Sequence, residues 1–226
     1  MHVLIGYAHP ELHSFNGAMK DLAVATLTGA GHQVTVPDLY AQNFNPIAGR
    51  HDFIARAEQA HAARTSGFAP DVQREIDRLL AADLLILQFP FWWYSVPAIL
   101  KSWIDRVFAY GVTYDFGRTW DRGVLRSRRA MLSFATSAPP TASMPDGRNG
   151  ELDRMLWLLH AGVLALCGYG VLQPFVAHAV AGLTTRAGRA RRGSICQIRS
   201  ETRKSCSAGK SATSPSPGSS RLKIRR

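Results

Sequence analysis

The chain is poor in cysteine, with three in 226 residues (Cys167, Cys196 and Cys206). Their spacing matches no metal motif, and an odd count builds no closed disulfide framework. No metal is expected. Cys167 lies in an apolar helical pattern and is expected in the core. No stretch stays apolar over the roughly 18 residues a membrane span needs, so no membrane span is expected. The opening Met1-His2-Val3-Leu4-Ile5-Gly6 lacks a basic region and reads as a first strand, not a signal peptide. A cytoplasmic protein is expected. After that strand there is no G-x-G-x-x-G, and the chain has no P-loop, no H-E-x-x-H and no G-x-S-x-G. These absences exclude the dinucleotide fingerprint and the common nucleoside-triphosphate, zinc-protease and serine-hydrolase signatures.

Net charge is confined to one end. The chain carries +11 and has a pI near 10.2. Residues Arg186 to Arg226 hold 12 of the 27 basic residues and one of the 16 acids, which leaves 15 of each in the body. A basic tail binds polyanions without selectivity. No base-stacking motif accompanies it, so no specific nucleic-acid partner is expected. The tail is rich in Ser, Gly, Pro and Arg, with no apolar period, and is expected to be disordered. Its abrupt composition is what a shifted reading frame in a GC-rich gene produces; an evolved basic tail is the alternative. The expected division is a domain over 1–184 and a tail over 185–226.

What is present is an alternation of strands and helices. The organising stretch runs from Leu84 to Phe108. Leu84 to Phe89 suits a strand buried on both faces, and Pro90 ends it. Phe91, Trp92, Trp93 and Tyr94 form a loop. Pro97 suits a helix start, and Leu100, Ile104, Val107 and Phe108 recur at helical spacing with Lys101, Asp105 and Arg106 off that face. Upstream, His2 to Ala8 reads as a strand, Ser14 caps a helix carrying Phe15, Met19 and Leu22, and Val34 to Val36 begins a second strand. Asp52 to Ala63 and Asp71 to Leu80 read as helical, Ala130 to Phe134 and Val171 to Phe175 as strands, with a helix through Leu156 and Leu159 between them. The order β-α-β-α-β-α-β-α-β implies an α/β three-layer sandwich with a five-stranded parallel sheet.

Two stretches carry candidate chemistry. His9-Pro10-Glu11-Leu12-His13-Ser14-Phe15-Asn16 opens a helix, where N–H groups and the helix dipole favour an anion. Ser14 and Asn16 could hold a phosphate; an ordinary capped helix explains the same residues. The loop of Phe91 to Tyr94 follows a central strand, where open α/β sheets bind ligands. Its aromatics suit a flat ligand, and equally a core or a subunit interface.

Taken together, His9-Pro10, Ser14-Phe15-Asn16, Asp38-Leu39-Tyr40, Asn43-Phe44-Asn45-Pro46, Gln88-Phe89-Pro90, Trp93, Val96-Pro97-Ala98-Ile99-Leu100-Lys101-Ser102-Trp103 and Asp105-Arg106-Val107-Phe108 resemble the NAD(P)H:quinone oxidoreductase (DT-diaphorase) family. The likeness covers about Met1 to Val180. It implies a flavodoxin-like fold, a bound flavin (FAD, with FMN possible), NAD(P)H as co-substrate, two-electron reduction of a quinone, and a homodimer. By the same resemblance His9, Ser14, Phe15 and Asn16 match the flavin's phosphate site. Pro90, Phe91, Trp92, Trp93 and Tyr94 match the loop along its rings. Asp105 matches an acidic position reached by cofactor or partner subunit, Thr136 the loop after the fourth strand, and Tyr114 an aromatic that closes the substrate pocket. No catalytic residue is assigned.

The chain departs from the family after its fourth strand. The family's Thr-Thr-Gly-Gly is Ala135-Thr136-Ser137-Ala138-Pro139-Pro140 here. Ala138 and Pro139 restrict the close backbone approach that glycine allows. The family's tyrosine and histidine in this loop have no counterpart, the nearest positions holding Pro145 and Asn149. That departure leaves a second reading open: a flavodoxin-like regulatory subunit acting on a partner protein such as a transporter.

Overall fold

Every residue of Leu84–Pro90 is buried, because this strand (β3) lies inside the sheet with helices over both faces. The structure is a computed structural model that describes residues 1–54 and 67–181. The other strands are β1 (His2–Tyr7), β2 (Gln33–Thr35), β4 (Arg129–Ala135), β5 (Gly170–Val171) and β6 (Phe175–Ala177). Their order is β2-β1-β3-β4-β5, with β6 also on β4, and every pairing is parallel. The strand order reverses between β1 and β3, so the switch point lies where the carboxyl ends of those two strands meet.

The α/β flavodoxin-like sandwich matches expectation, and the edge of the sheet differs from it. The expected fifth strand, Val171 to Phe175, is two short strands. Ala130 pairs with Val171 and Ser133 with Phe175, so the edge carries one residue more than β4 over that interval. Leu172-Gln173-Pro174 bulges out to absorb it. Pro174 has no N–H for the ladder, and a bulge is where an edge strand tolerates proline.

Four helices pack on this sheet: α1 (Phe15–Gly29), α2 (Pro70–Ala81), α3 (Ala98–Val107) and α4 (Leu152–Leu159). Helices α2, α3 and α4 share one apolar cluster with Leu4, Leu85, Leu87, Leu132 and Phe134. On the opposite face α1 packs on Val3, Ile5, Leu84 and Ile86 through Leu27, Ala23 and Val24. Its first half reaches the ends of β4 and β6 through Met19 and Phe15, against Ala135, Phe175 and Ala177. The helical expectation for Asp52 to Ala63 meets only a short 3-10 turn at Arg50–Asp52; residues 55–66 lie outside the described residues. The basic tail also lies outside them.

Arg106 departs from the amphipathic pattern of α3, for it is buried and not on the polar face. Its Nε and Nη2 donate to Asp52 Oδ1 at 2.9 and 2.8 Å, its Nη1 to the Asn45 carbonyl at 2.8 Å, and its Nη2 to Asp71 Oδ2 at 2.9 Å. The guanidinium also lies 4.7 Å from the Phe44 ring centroid. One side chain therefore ties α3 to α2 and to the long connection after β2. Burial pushes the Asp71 carboxyl up, but the Arg106 charge outweighs it and holds the group below its ordinary value. Arg106→Leu should cost about 3–5 kcal/mol in urea unfolding, because it strands buried Asp52 without a counter-charge. A loss below about 1 kcal/mol would show that the pair is dispensable.

Helix α4 runs on into a π-helical turn at His160–Ala165. Nε2 of His160 is buried there with no hydrogen-bond partner among the described residues. Burial lowers its pKa, against a smaller opposing effect of Asp153. The unfolded chain therefore binds a proton near the ordinary value of about 6.5 that the folded chain resists. This contribution to stability is complete above that value and declines as pH falls through it. The urea midpoint should drop between pH 7 and pH 5, and His160→Gln should show a smaller drop. An unchanged pH slope in the variant would contradict this.

Candidate active site

The carboxyl edge of the sheet brings three separated loops together. Ladder hydrogen bonds continue past the strands: Ala8 N–H to the Gln88 carbonyl (3.0 Å), Phe91 N–H to the Ala135 carbonyl (2.9 Å) and Thr136 N–H to the Ala177 carbonyl (2.9 Å). His9, Phe91 and Thr136 are thereby held side by side at one edge.

A buried polar chain sits directly beneath. Gln88 Nε2 donates to Asn16 Oδ1 at 2.9 Å, and Gln88 Oε1 accepts from Ser133 Oγ at 2.6 Å. It links β4, β3 and the start of α1. Asn16 is buried with its side chain aimed into the protein, so only its backbone N–H can serve an anion. Sequence reasoning gave Gln88 no role. Its signal was present: it is the lone polar residue in the apolar run Leu84 to Phe89.

The start of α1 follows the ordinary cap. Ser14 Oγ accepts the Gly17 N–H at 3.0 Å and lies 3.4 Å from the Tyr7 hydroxyl. The first N–H groups of a helix have no intrahelical acceptor, so those of Phe15 and Asn16 remain the anion donors at this end. Gly17 is required by packing, since a Cβ there would come within 2.2 Å of the Leu12 carbonyl oxygen. The His9-to-Ser14 turn thus lies close over the first turn of α1. Burial lowers the pKa of His9, so it is neutral at pH 7. Its Nδ1 accepts the Glu11 N–H at 3.0 Å, and its ring lies 6.0 Å from that of Trp92.

Beside it, Trp92 to Ser95 form a tight turn closed by hydrogen bonds in both directions, at 3.1 and 2.9 Å. The two central residues, Trp93 and Tyr94, have φ of 51° and 58°. This is the geometry of a type I′ turn, which normally selects Asn-Gly because both positions are left-handed. Here two aromatics occupy them, and Trp93 is 94% exposed. A core role is excluded for Trp93 within the single chain. Phe91 anchors the loop from below, against Phe134 at 4.8 Å and edge-on to Tyr94.

Two expected site residues lie apart from this group. Asp105 is on the outer side of α3, paired with Lys101 at 2.7 Å. Tyr114 packs edge-on to Tyr110 at 5.7 Å, in the loop whose tip presents Phe116 at 94% exposure. Thr136 stands at the edge, its Oγ1 accepting the Ala138 N–H at 3.2 Å. Among the described residues no cluster of acids, histidines and cysteines could hold a metal ion, and no helix is long and apolar enough to cross a membrane.

A family model described as flavodoxin-like fold matches residues 1–197. The chain belongs to this flavodoxin-like family. It is 41% identical over 187 residues to ribosyldihydronicotinamide dehydrogenase [quinone] of Pongo abelii, covering 78% of this chain and 81% of that one. It is 36% identical over 187 residues to NAD(P)H dehydrogenase [quinone] 1 of Rattus norvegicus, covering 78% and 68%. The crystal structure of a candidate quinone reductase from Klebsiella pneumoniae superposes with a TM-score of 0.82 at 33% identity, covering 91% of this chain and 85% of that one.

The residues at the edge fit a flavin: free helix-end N–H groups for phosphates lie beside exposed aromatic faces for rings. Holding Trp93 left-handed costs on the order of 1–2 kcal/mol. Trp93→Gly should therefore raise the unfolding free energy of the flavin-free protein by about 1 kcal/mol while lowering flavin retention on gel filtration. Unchanged cofactor content in that variant would remove Trp93 from the site.

Proposed function

We propose that this flavodoxin-like chain is a flavin-dependent NAD(P)H dehydrogenase (quinone), transferring two electrons as hydride from NAD(P)H to a quinone. It works as a cytoplasmic homodimer with FAD as the preferred flavin, and its catalytic domain is residues 1–184. The observation that carries this reading is the left-handed Trp93-Tyr94 turn beside the open end of α1, at the switch point of the sheet. Strained non-glycine residues persist where function requires them.

When bound, the flavin supplies the hydride acceptor and donor at N5 that no amino-acid side chain provides. The N–H groups of Phe15 and Asn16 bind phosphate oxygens. His9 Nδ1 already takes the Glu11 N–H, so the neutral ring carries its proton on Nε2 and donates it to a further phosphate oxygen. Pro90, Phe91, Trp92, Trp93 and Tyr94 wall the ring slot and exclude water, and Thr136 closes its other side. Nicotinamide and quinone occupy that slot in turn. Asp105 points away from it within one subunit, so its role falls on the subunit contact. Tyr114 closes the pocket across the dimer.

Purified protein should show flavin absorption that bleaches under anaerobic NADPH or NADH and returns on adding a quinone. A colourless, folded dimer that takes up neither FAD nor FMN would refute the enzyme reading and favour a regulatory subunit.

A further inference from the structure

The loop after β4 lacks the family's glycines, yet it is tightly held in this chain, from one side. The strap is Ala177 to Val180, which directly follows β6. Ala177 accepts the Thr136 N–H at 2.9 Å, and Val180 N–H donates to the Thr136 carbonyl at 3.1 Å. Ala179 N–H donates to the Ala138 carbonyl at 3.0 Å. That same oxygen lies 3.3 Å from His178 Nδ1. A carbonyl only accepts, so Nδ1 carries the proton and donates.

Two further observations mark the strap as built for this task. Ala179 is left-handed, with φ of 56°, a conformation alanine adopts only when its surroundings impose it. The strained residue is the one whose N–H reaches Ala138 O next to the His178 ring. Val180 and Ala177 also pack with Phe15, Leu22 and Met19 of α1. The strap therefore touches both the loop at 136–138 and the helix whose first turn is the anion end of the site. Sequence reading gave neither His178 nor Ala179 a role.

We propose that His178 is a positioning residue for flavin binding. Its ring, with the strained Ala179 N–H, fixes the Ala138 carbonyl and so sets the wall formed by Thr136 to Ala138, the task that close glycine packing performs elsewhere in the family. This inference rests on the flavin reading above. His178 acts through the loop and makes no contact with the reacting atoms.

The test is fluorescence titration of the flavin-free full-length protein with FAD and FMN, beside thermal melts of the same flavin-free samples. His178→Phe keeps the ring's bulk and removes the donor; His178→Asn keeps a short N–H donor. The Phe variant should bind flavin roughly fivefold more weakly, the effect of one net hydrogen bond, with the flavin-free melting temperature close to that of the parent. The Asn variant should recover at least half of that loss on a logarithmic scale. Parental affinity in the Phe variant overturns the proposal, as does an Asn variant as weak as the Phe variant. If His178→Phe does not fold, His178→Ala against His178→Asn decides by the same criterion. A parental chain that binds neither flavin overturns the flavin reading as well, which distinguishes that failure from failure of the positioning role alone.

Discussion

The side-chain amide of Gln88 is the interaction on which the site depends. It sits near the carboxyl end of β3 and uses both of its ends, toward Asn16 on α1 and Ser133 on β4. All three residues are buried. Cutting one member would leave a polar group unsatisfied in the interior, at a cost of about 1–3 kcal/mol. The chain of bonds fixes where α1 begins relative to β3 and β4, and therefore where the N–H groups of its first turn stand relative to the aromatic loop. Apolar packing alone would set the layers without setting that register.

On this frame the edge divides into two chemically different ends. The α1 end offers N–H groups and a neutral imidazole, suited to phosphate. The turn at Trp92 to Ser95 offers large aromatic faces, held outward by a backbone conformation that costs energy. Ordinary stability would favour Asn-Gly in such a turn. Retaining Trp and Tyr there is explained by a flat ligand that covers them. The strap from Ala177 to Val180 completes the arrangement on the side of β4, again through a left-handed non-glycine residue, Ala179.

Much of this was legible in the sequence, because it depends on period and punctuation. The unbroken apolar run of β3, the proline that closes it, the Ser14 cap and the alternation of strands with helices each follow from local chemistry. What could not be read were features decided by distant partners. Arg106 lies on α3 where a polar face was expected, and it is buried because Asp52, Asp71 and the Asn45 carbonyl, all far away in the chain, converge on it. Asn16 looked like a phosphate ligand, and its side chain is taken by Gln88, 72 residues away. The split of the edge strand into β5 and β6 follows from one extra residue at Leu172 to Pro174, which only the pairing with β4 exposes. His178 carried no motif at all; its place beside Ala138 comes from the strand register.

The central claim is that the anion end of α1 and the aromatic turn serve one flavin together. A crystal structure of the protein grown with FAD tests this most directly. The expected result places the phosphates against the N–H groups of Phe15 and Asn16 and the ring system in van der Waals contact with Trp93, with the Thr136 to Ala138 backbone along its other side. Flavin bound away from the carboxyl edge of β1 and β3, or phosphates there with rings that leave the aromatic turn uncovered, would contradict it.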